Sequence, residues 1–382
     1  MDLALTDDQS AVRRAVRAWV DDVVVPFSLR NDREERFPQE ALDGLRDTGF
    51  IGLTVGTQWG GGGADPVTYC LVIEELGRGD ANVRSILSVH LGLVAGSIER
   101  WGTDAQKELW LPVMATGEVL GCFGLTEPEA GSNPAELRTR AEPIPGGWRL
   151  TGRKIFITNG TIAGVALVLA RSGGSGARGV SAFLVPTDST GFTATPVHGK
   201  LGLRSCDTAE LVLDGVEVGQ EAMLGPEGKG LSVALSALDD GRMSIAASSV
   251  GIGQAALEAM LAYAGSREQF GKPIAGHQLV QELLADASVD VAAGRLLTWQ
   301  AADLKARGER YSLAASQAKL FTTEAANRAA NACVQVHGGY GFIEDYPAAK
   351  LLRDARVTTL YEGTSQVQKL LIGRALTGIS AF

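Results

Sequence analysis

The sequence predicts an α+β chain, with helices at both ends and a compact antiparallel β domain between them. Three observations carry that expectation. Apolar residues recur at helical spacing up to about residue 120. From 121 to 231, short apolar runs alternate with turn residues. From 232 onward the helical spacing returns. The expected domains are a helical domain at 1–120, a β domain at 121–231 and a second helical domain at 232–382. A chain of 382 residues is long enough for two or three such units.

In the first zone Val12, Val16 and Trp19 follow the i, i+4, i+7 pattern, and Glu75 and Arg78 place charge beside Leu71. The Gly60-Gly61-Gly62-Gly63 tract, with Pro66 soon after, interrupts these helices. In the second zone Ile155-Phe156-Ile157-Thr158 reads as a strand closed by Asn159-Gly160, a hairpin-turn dipeptide. Runs at 165–170 and 180–185 read as further strands, and Leu211-Val212-Leu213 stops at the turn signal Asp214-Gly215. In the third zone Leu279, Leu283 and Leu284 share one helix face, as do Val367, Leu370 and Leu371. The weakly charged stretch 243–257 is short for a membrane span and fits a helix inside a bundle. Ser365 followed by Gln368 is a capping-box pattern, so a helix should start near Ser365.

Composition narrows the function. Thirty-five basic against 44 acidic residues give a net charge of −9, the wrong balance for a fold-wide nucleic-acid binder. Four scattered cysteines and four scattered histidines show no metal-ligand or disulfide spacing, which suits a reducing cytoplasm and no metal. The N-terminal residues 1–8 are acidic and lack the shape of a signal peptide. Gly174-Ser175-Gly176-Ala177-Arg178-Gly179 matches G-x-G-x-x-G, but a strand follows it where a dinucleotide site needs a helix; it reads as a hairpin turn.

Two segments can carry chemistry. In Tyr361-Glu362-Gly363-Thr364-Ser365, Glu362 sits on a tight turn ahead of a helix, where Gly363 lets the backbone bend and a ligand approach. Taken alone it reads as a solvated turn glutamate. Phe123-Gly124-Leu125-Thr126-Glu127-Pro128-Glu129-Ala130-Gly131-Ser132-Asn133 joins the helical and β zones. Its hydroxyls and backbone amides could line a planar polar ligand or simply connect two domains.

With Lys154-Ile155-Phe156-Ile157-Thr158-Asn159-Gly160, Arg267-Glu268-Gln269-Phe270-Gly271-Lys272-Pro273-Ile274, His277-Gln278 and Gln335-Val336-His337-Gly338-Gly339-Tyr340-Gly341, these segments resemble the acyl-CoA dehydrogenase family. The likeness spans nearly the whole chain in family order. It implies a helical domain, a β domain and a C-terminal four-helix bundle. It also implies FAD, and desaturation of an acyl thioester between its α and β carbons.

On that resemblance Glu362 is the catalytic base, removing the α proton while hydride passes from the β carbon to flavin N5. Phe123, Leu125, Thr126, Phe156, Ile157 and Thr158 correspond to the flavin wall, with Ser132, Thr364 and Gln366 as further contacts. Arg267, Phe270, Gln278, Gln335, Gly338 and Gly339 correspond to the pyrophosphate and adenine site, completed across a subunit boundary. Asp239 and Arg242 correspond to the hold on pantetheine or CoA, and Ser132 and Gly363 to the thioester side. Implied partners are an acyl-CoA or acyl carrier protein thioester, an electron-transferring flavoprotein and other copies in a homotetramer or homodimer. No nucleic acid or membrane is implied.

Arg84-Ser85-Ile86-Leu87-Ser88-Val89-His90 resembles the glutaryl-CoA dehydrogenase branch, where the arginine receives a distal carboxylate through a charge-assisted fork. Acyl-carrier-protein dehydrogenases of extender-unit pathways are also similar. The alternative for Arg84 is a helix-surface or inter-helix salt bridge. Phe156 replaces the wall's familiar Trp, keeping a flat apolar face without an N–H donor. An oxidase or flavin monooxygenase on the same fold is the neighbouring reading, and Glu362 argues against the monooxygenase. A non-catalytic helical assembly protein is the distant one.

Overall fold

The computed structural model describes residues 4–381, so Met1, Asp2 and Leu3 of the acidic N-terminus lie outside it. The first helix, α1 (Asp7–Trp19), starts at Thr6, whose hydroxyl accepts from Gln9 N while the Gln9 side chain accepts from Thr6 N. Val16 is fully buried, and Val12 and Trp19 pack beside it. After a π-turn at Val20–Val24 come α2 (Val25–Glu34) and α3 (Gln39–Asp47). The glycine tract forms the loop before α4 (Pro66–Gly79), which Asp65 caps and Pro66 opens. α5 (Ala81–Leu87), a π-helical stretch (Ser88–Ala95) and α6 (Gly96–Trp101) form one continuous rod, followed by α7 (Asp104–Ala115).

The β zone holds β1 (Gly121–Gly124), β2 (Arg140–Ile144), β3 (Gly147–Thr158), β4 (Val165–Arg171), β5 (Val180–Pro186), β6 (Phe192–Pro196), β7 (Thr208–Gly219) and β8 (Met223–Leu224). They form one sheet in the order β6-β7-β3-β2-β4-β5-β8, with β1 added beside β4. The sheet is not purely antiparallel as expected. β1 runs parallel to β4, because the chain enters the sheet directly from the helices rather than from a hairpin. Asn159-Gly160 closes no hairpin either, since β3 pairs with β2 and β7. Asn159 takes a left-handed φ of 63°, and its buried amide donates to Ile86 O and Gly121 O. Asp214-Gly215 does not end a strand: β7 runs through it with a register shift opposite Leu150 and Gly152. The Gly174–Gly179 segment does connect the antiparallel pair β4 and β5.

β4 is buried on both faces. Leu167 and Leu169 join the helical core, while Ala166, Val168 and Ala170 pack with Phe183 and Leu211 inside the sheet domain.

The third zone is α8 (Gly230–Ser266), a two-rung hairpin of β9 (Glu268–Gln269) and β10 (Lys272–Pro273), α9 (Gln278–Ala306), α10 (Ser312–His337), α11 (Ala348–Thr358) and α12 (Ser365–Thr377). The stretch 243–257 lies inside α8 and is almost wholly buried. Gly251 lets α8 meet α4 closely: a Cβ there would stand 2.7 Å from Arg78 N. Two helical segments, Ala81–Trp101 and Gly230–Ser266, are long and apolar enough to cross a membrane, and both are mostly buried in the fold. Leu283 and Leu284 pack inward on α9, but Leu279 is exposed. α12 starts at Ser365 as expected, but its cap differs. Thr364, not Ser365, is its cap, accepting from Val367 N at 3.2 Å.

Candidate active site

Glu362 lies on the turn between α11 and α12, with φ 55°, and Gly363 follows at 86°. A left-handed non-glycine residue costs on the order of 1–2 kcal/mol and persists only where its surroundings over-determine it. Here they do. Ser365 N donates to Thr359 O at 3.0 Å, and the Gln368 amide donates to Glu362 O at 3.1 Å and Gly363 O at 3.0 Å. Lys319 Nζ, from α10, donates to Gly363 O at 2.7 Å.

The turn aims the carboxylate at α8. Its Oε2 is buried and has no hydrogen-bond partner. Burial pushes the carboxyl up to about 7, against the downward pull of the Arg242, Lys319 and Arg84 charges. An unpartnered carboxylate oxygen in that range is suited to receive a proton from a bound molecule.

Two guanidinium groups share this surrounding. Arg84, on α5, is 2% exposed and pairs with no carboxylate among the described residues, so the salt-bridge alternative is not what forms. Arg84 donates to Tyr361 Oη at 2.7 Å and more weakly to Ser88 Oγ at 3.4 Å, and its Nε has no partner. Arg242, on α8, pairs with Asp239, and its buried Nε is also unpartnered.

The second segment forms a wall with the end of β3. Ile155 N donates to Thr126 O at 2.9 Å, joining the two. Lys154, fully buried beneath, donates to Glu127 Oε1 at 2.7 Å and Leu125 O at 3.3 Å. Burial raises the Glu127 carboxyl, but the Lys154 charge and the Thr139 and Arg138 amides outweigh it and hold it below the usual range. Phe123 and Leu125 are nearly buried, Thr126 and Thr158 half-buried. Phe156 is 64% exposed at φ 60°. Ile157 turns into the sheet core, leaving only its backbone for a ligand. Ser132, Glu129 and Gln366 are exposed.

A cleft of about 520 Å³ lies at the far end of α8 and α10, lined by Tyr263, Arg267, Gln269, His337, Gly338 and Gly339 among others. A Cβ at Gly338 or Gly339 would meet nothing within 4 Å, so a ligand can approach this bare backbone closely, beside Arg267. A guanidinium beside side-chain-free backbone suits a pyrophosphate. Gln278, Gln335 and Phe270 are exposed and outside the cleft lining. Phe270 is 94% exposed at φ 54° in a turn with Gly271 at φ 76°. The apolar wall and the cationic, glycine-lined cleft together fit a flavin dinucleotide.

Family models for the acyl-CoA dehydrogenase N-terminal, middle and C-terminal domains match residues 6–118, 122–216 and 228–377. The chain belongs to the acyl-CoA dehydrogenase family. It is an FAD-dependent oxidoreductase with that family's helical, β and helical domains. An acyl-CoA dehydrogenase of Bacillus subtilis is 41% identical over 375 residues, covering 98% of this chain and 99% of the relative. Butyryl-CoA dehydrogenase from Megasphaera elsdenii superposes with a TM-score of 0.96 at 38% identity, covering 98% and 100% of the two chains. Glutaryl-CoA dehydrogenase from Mycobacterium smegmatis in complex with FADH2 does so at 0.94 and 39% identity, covering 99% and 96%.

Sequence reasoning missed Lys319, the Gln368 clamp and Gly241 of α8, where an added Cβ would stand 2.7 Å from Glu362 Cδ. A signal existed for Lys319. Ala315, Ala318, Lys319 and Thr322 form one buried stripe on α10, and a lysine there is out of place. Among the described residues six non-glycines have left-handed φ, and three of them are Phe156, Phe270 and Glu362. Such strain clusters at functional sites.

Proposed function

We propose that this acyl-CoA dehydrogenase desaturates a short acyl thioester that carries a polar or carboxylate end. Glu362 takes the α proton on its unpartnered Oε2. A bound FAD would supply the hydride acceptor for the β carbon. Phe123, Leu125, Thr126, Phe156 and Thr158 would hold the ring, with Arg267, Gly338 and Gly339 at the pyrophosphate. Asp239 and Arg242 would hold the pantetheine arm. Arg84 would receive the distal polar group.

The observation that carries this reading is the pairing of unsatisfied atoms. A buried carboxylate oxygen and the buried Nε atoms of Arg84 and Arg242 are left open at one site. Leaving buried polar groups unpaired costs about 1–3 kcal/mol each, so they mark places where a ligand completes the bonding. The carrier is CoA or an acyl carrier protein. The electron acceptor would be an electron-transferring flavoprotein or a similar carrier, and the assembly a homotetramer or homodimer.

The test is a bleaching screen of the purified holoenzyme with butyryl-CoA, dicarboxylyl-CoAs and acyl carrier protein thioesters. The dicarboxylyl compounds should reduce the flavin fastest, and Glu362→Gln should keep its flavin spectrum but lose bleaching. Unchanged bleaching by that variant overturns the assignment. Rapid reoxidation by air would instead mark an oxidase.

A further inference from the structure

We infer that Lys319 is a positioning residue for Glu362: its ammonium holds the Gly363 carbonyl and keeps the base in its left-handed turn, facing the acyl site. The inference rests on the reading of Glu362 as the base.

The geometry is specific. Lys319 is 0% exposed on α10, a helix otherwise lined by alanine and threonine on that face. Burying an ammonium is costly unless it is hydrogen-bonded and faces opposite charge. Its one hydrogen bond runs to Gly363 O at 2.7 Å, the carbonyl next to the base. The facing carboxylates are Glu362 itself and Glu324, and Glu324 Oε1 is taken up by Ser365 Oγ at 2.6 Å. Lys319 and the Gln368 amide thus converge on Gly363 O from two helices, and only Gln368 also reaches Glu362 O. Removing the ammonium leaves that carbonyl with the longer, uncharged Gln368 bond alone, in a turn whose two central residues both have positive φ.

The same charge acts on the Glu362 carboxyl. The groups facing it are Arg242 from α8, Arg84 from α5, Lys319 from α10 and the adjoining Tyr361 phenol. Burial raises the carboxyl, and the three cations oppose that rise. Burial draws the Lys319 ammonium down to about 8, and Glu362 and Glu324 oppose that fall while Arg242 adds to it. Loss of Lys319 therefore moves Glu362 toward the protonated form, in which it cannot act as a base.

The experiment compares wild type with Lys319→Met, Lys319→Gln and Lys319→Arg as FAD-loaded enzymes. The pH dependence of flavin reduction is measured by stopped flow. Glu362 protonation is followed without substrate, from its carboxylic-acid stretch in pH-difference infrared spectra, assigned with Glu362→Gln. Lys319→Met and Lys319→Gln should move both transitions upward by about one pH unit or more. They should also slow reduction about tenfold or more with the flavin spectrum intact. Lys319→Arg should restore the pH position. If Lys319→Met does not fold, Lys319→Gln against Lys319→Arg decides, since both donate and only one is charged. An unmoved infrared transition overturns the role of Lys319. The infrared result stands without any substrate, so failure of the thioester reading shows up separately, as absence of bleaching in wild type.

Discussion

Gly241 of α8 is the seat of the Glu362 carboxylate: a Cβ placed there would stand 2.7 Å from Glu362 Cδ, inside van der Waals contact. A side chain there could be accommodated only by moving the carboxylate. Gly241→Ala should therefore push the carboxylate out of line. A misplacement of about 1 Å costs on the order of 100-fold in rate. The variant should bind FAD normally and reduce it about 100-fold more slowly, measured by stopped flow at saturating substrate. A wild-type rate would show that the carboxylate does not react from this position.

Because burial holds the Glu362 carboxyl up to about 7, the base is protonated below that pH and free above it. The rate of flavin reduction should rise with pH through about 7 and level off above. A rate that falls across that range would contradict the proposed role.

Arg84 offers an unpartnered Nε and touches only Tyr361 and Ser88 through its other nitrogens. Arg84→Ala would leave a substrate carboxylate buried and unpaired, at a cost of about 3 kcal/mol or roughly 100-fold. kcat/KM for a dicarboxylyl-CoA should fall by that factor, with butyryl-CoA much less affected. Equal losses on both would remove the carboxylate from the proposal.

Lys154 and Glu127 form a buried pair directly beneath the wall segment. Lys154→Met strands the carboxylate in the interior and should cost about 3–5 kcal/mol. The chemical-denaturation midpoint and FAD retention on gel filtration should both drop. Restoring neither in Lys154→Met/Glu127→Gln would indicate that the pair matters for more than charge balance.

His90 is fully buried, with Nδ1 accepting from Gly121 N and Nε2 donating to Met114 O. Burial lowers its pKa from 6.5 to about 4, so the folded ring stays neutral where the unfolded one charges. The unfolded state then binds more protons between those values, and stability is lost as pH falls from 6.5 toward 4. By pH 5 about 2 kcal/mol should be gone. His90→Gln should be less stable than wild type at pH 7 yet lose less on acidification, as read from urea melts at both pH values.

The sequence by itself determined the zonal order, the helical faces and the site motifs. Those depend on local periodicity, turn chemistry and residue type, which act over a few neighbouring positions. Val16 on α1, the buried run of α8 and the turn carrying Glu362 were legible for that reason. Tertiary structure alone decided what meets what. Asn159 resembled a hairpin residue but spends its amide on carbonyls 73 and 38 positions away. Ser365 resembled a cap, yet its hydroxyl goes to Glu324, and the cap falls to Thr364. Gly241 as the seat of Glu362, Lys319 beneath Gly363 and the unpaired Nε of Arg84 arise where distant segments converge. Burial, and the charges that burial brings together, are properties of that convergence, and no window of sequence contains them.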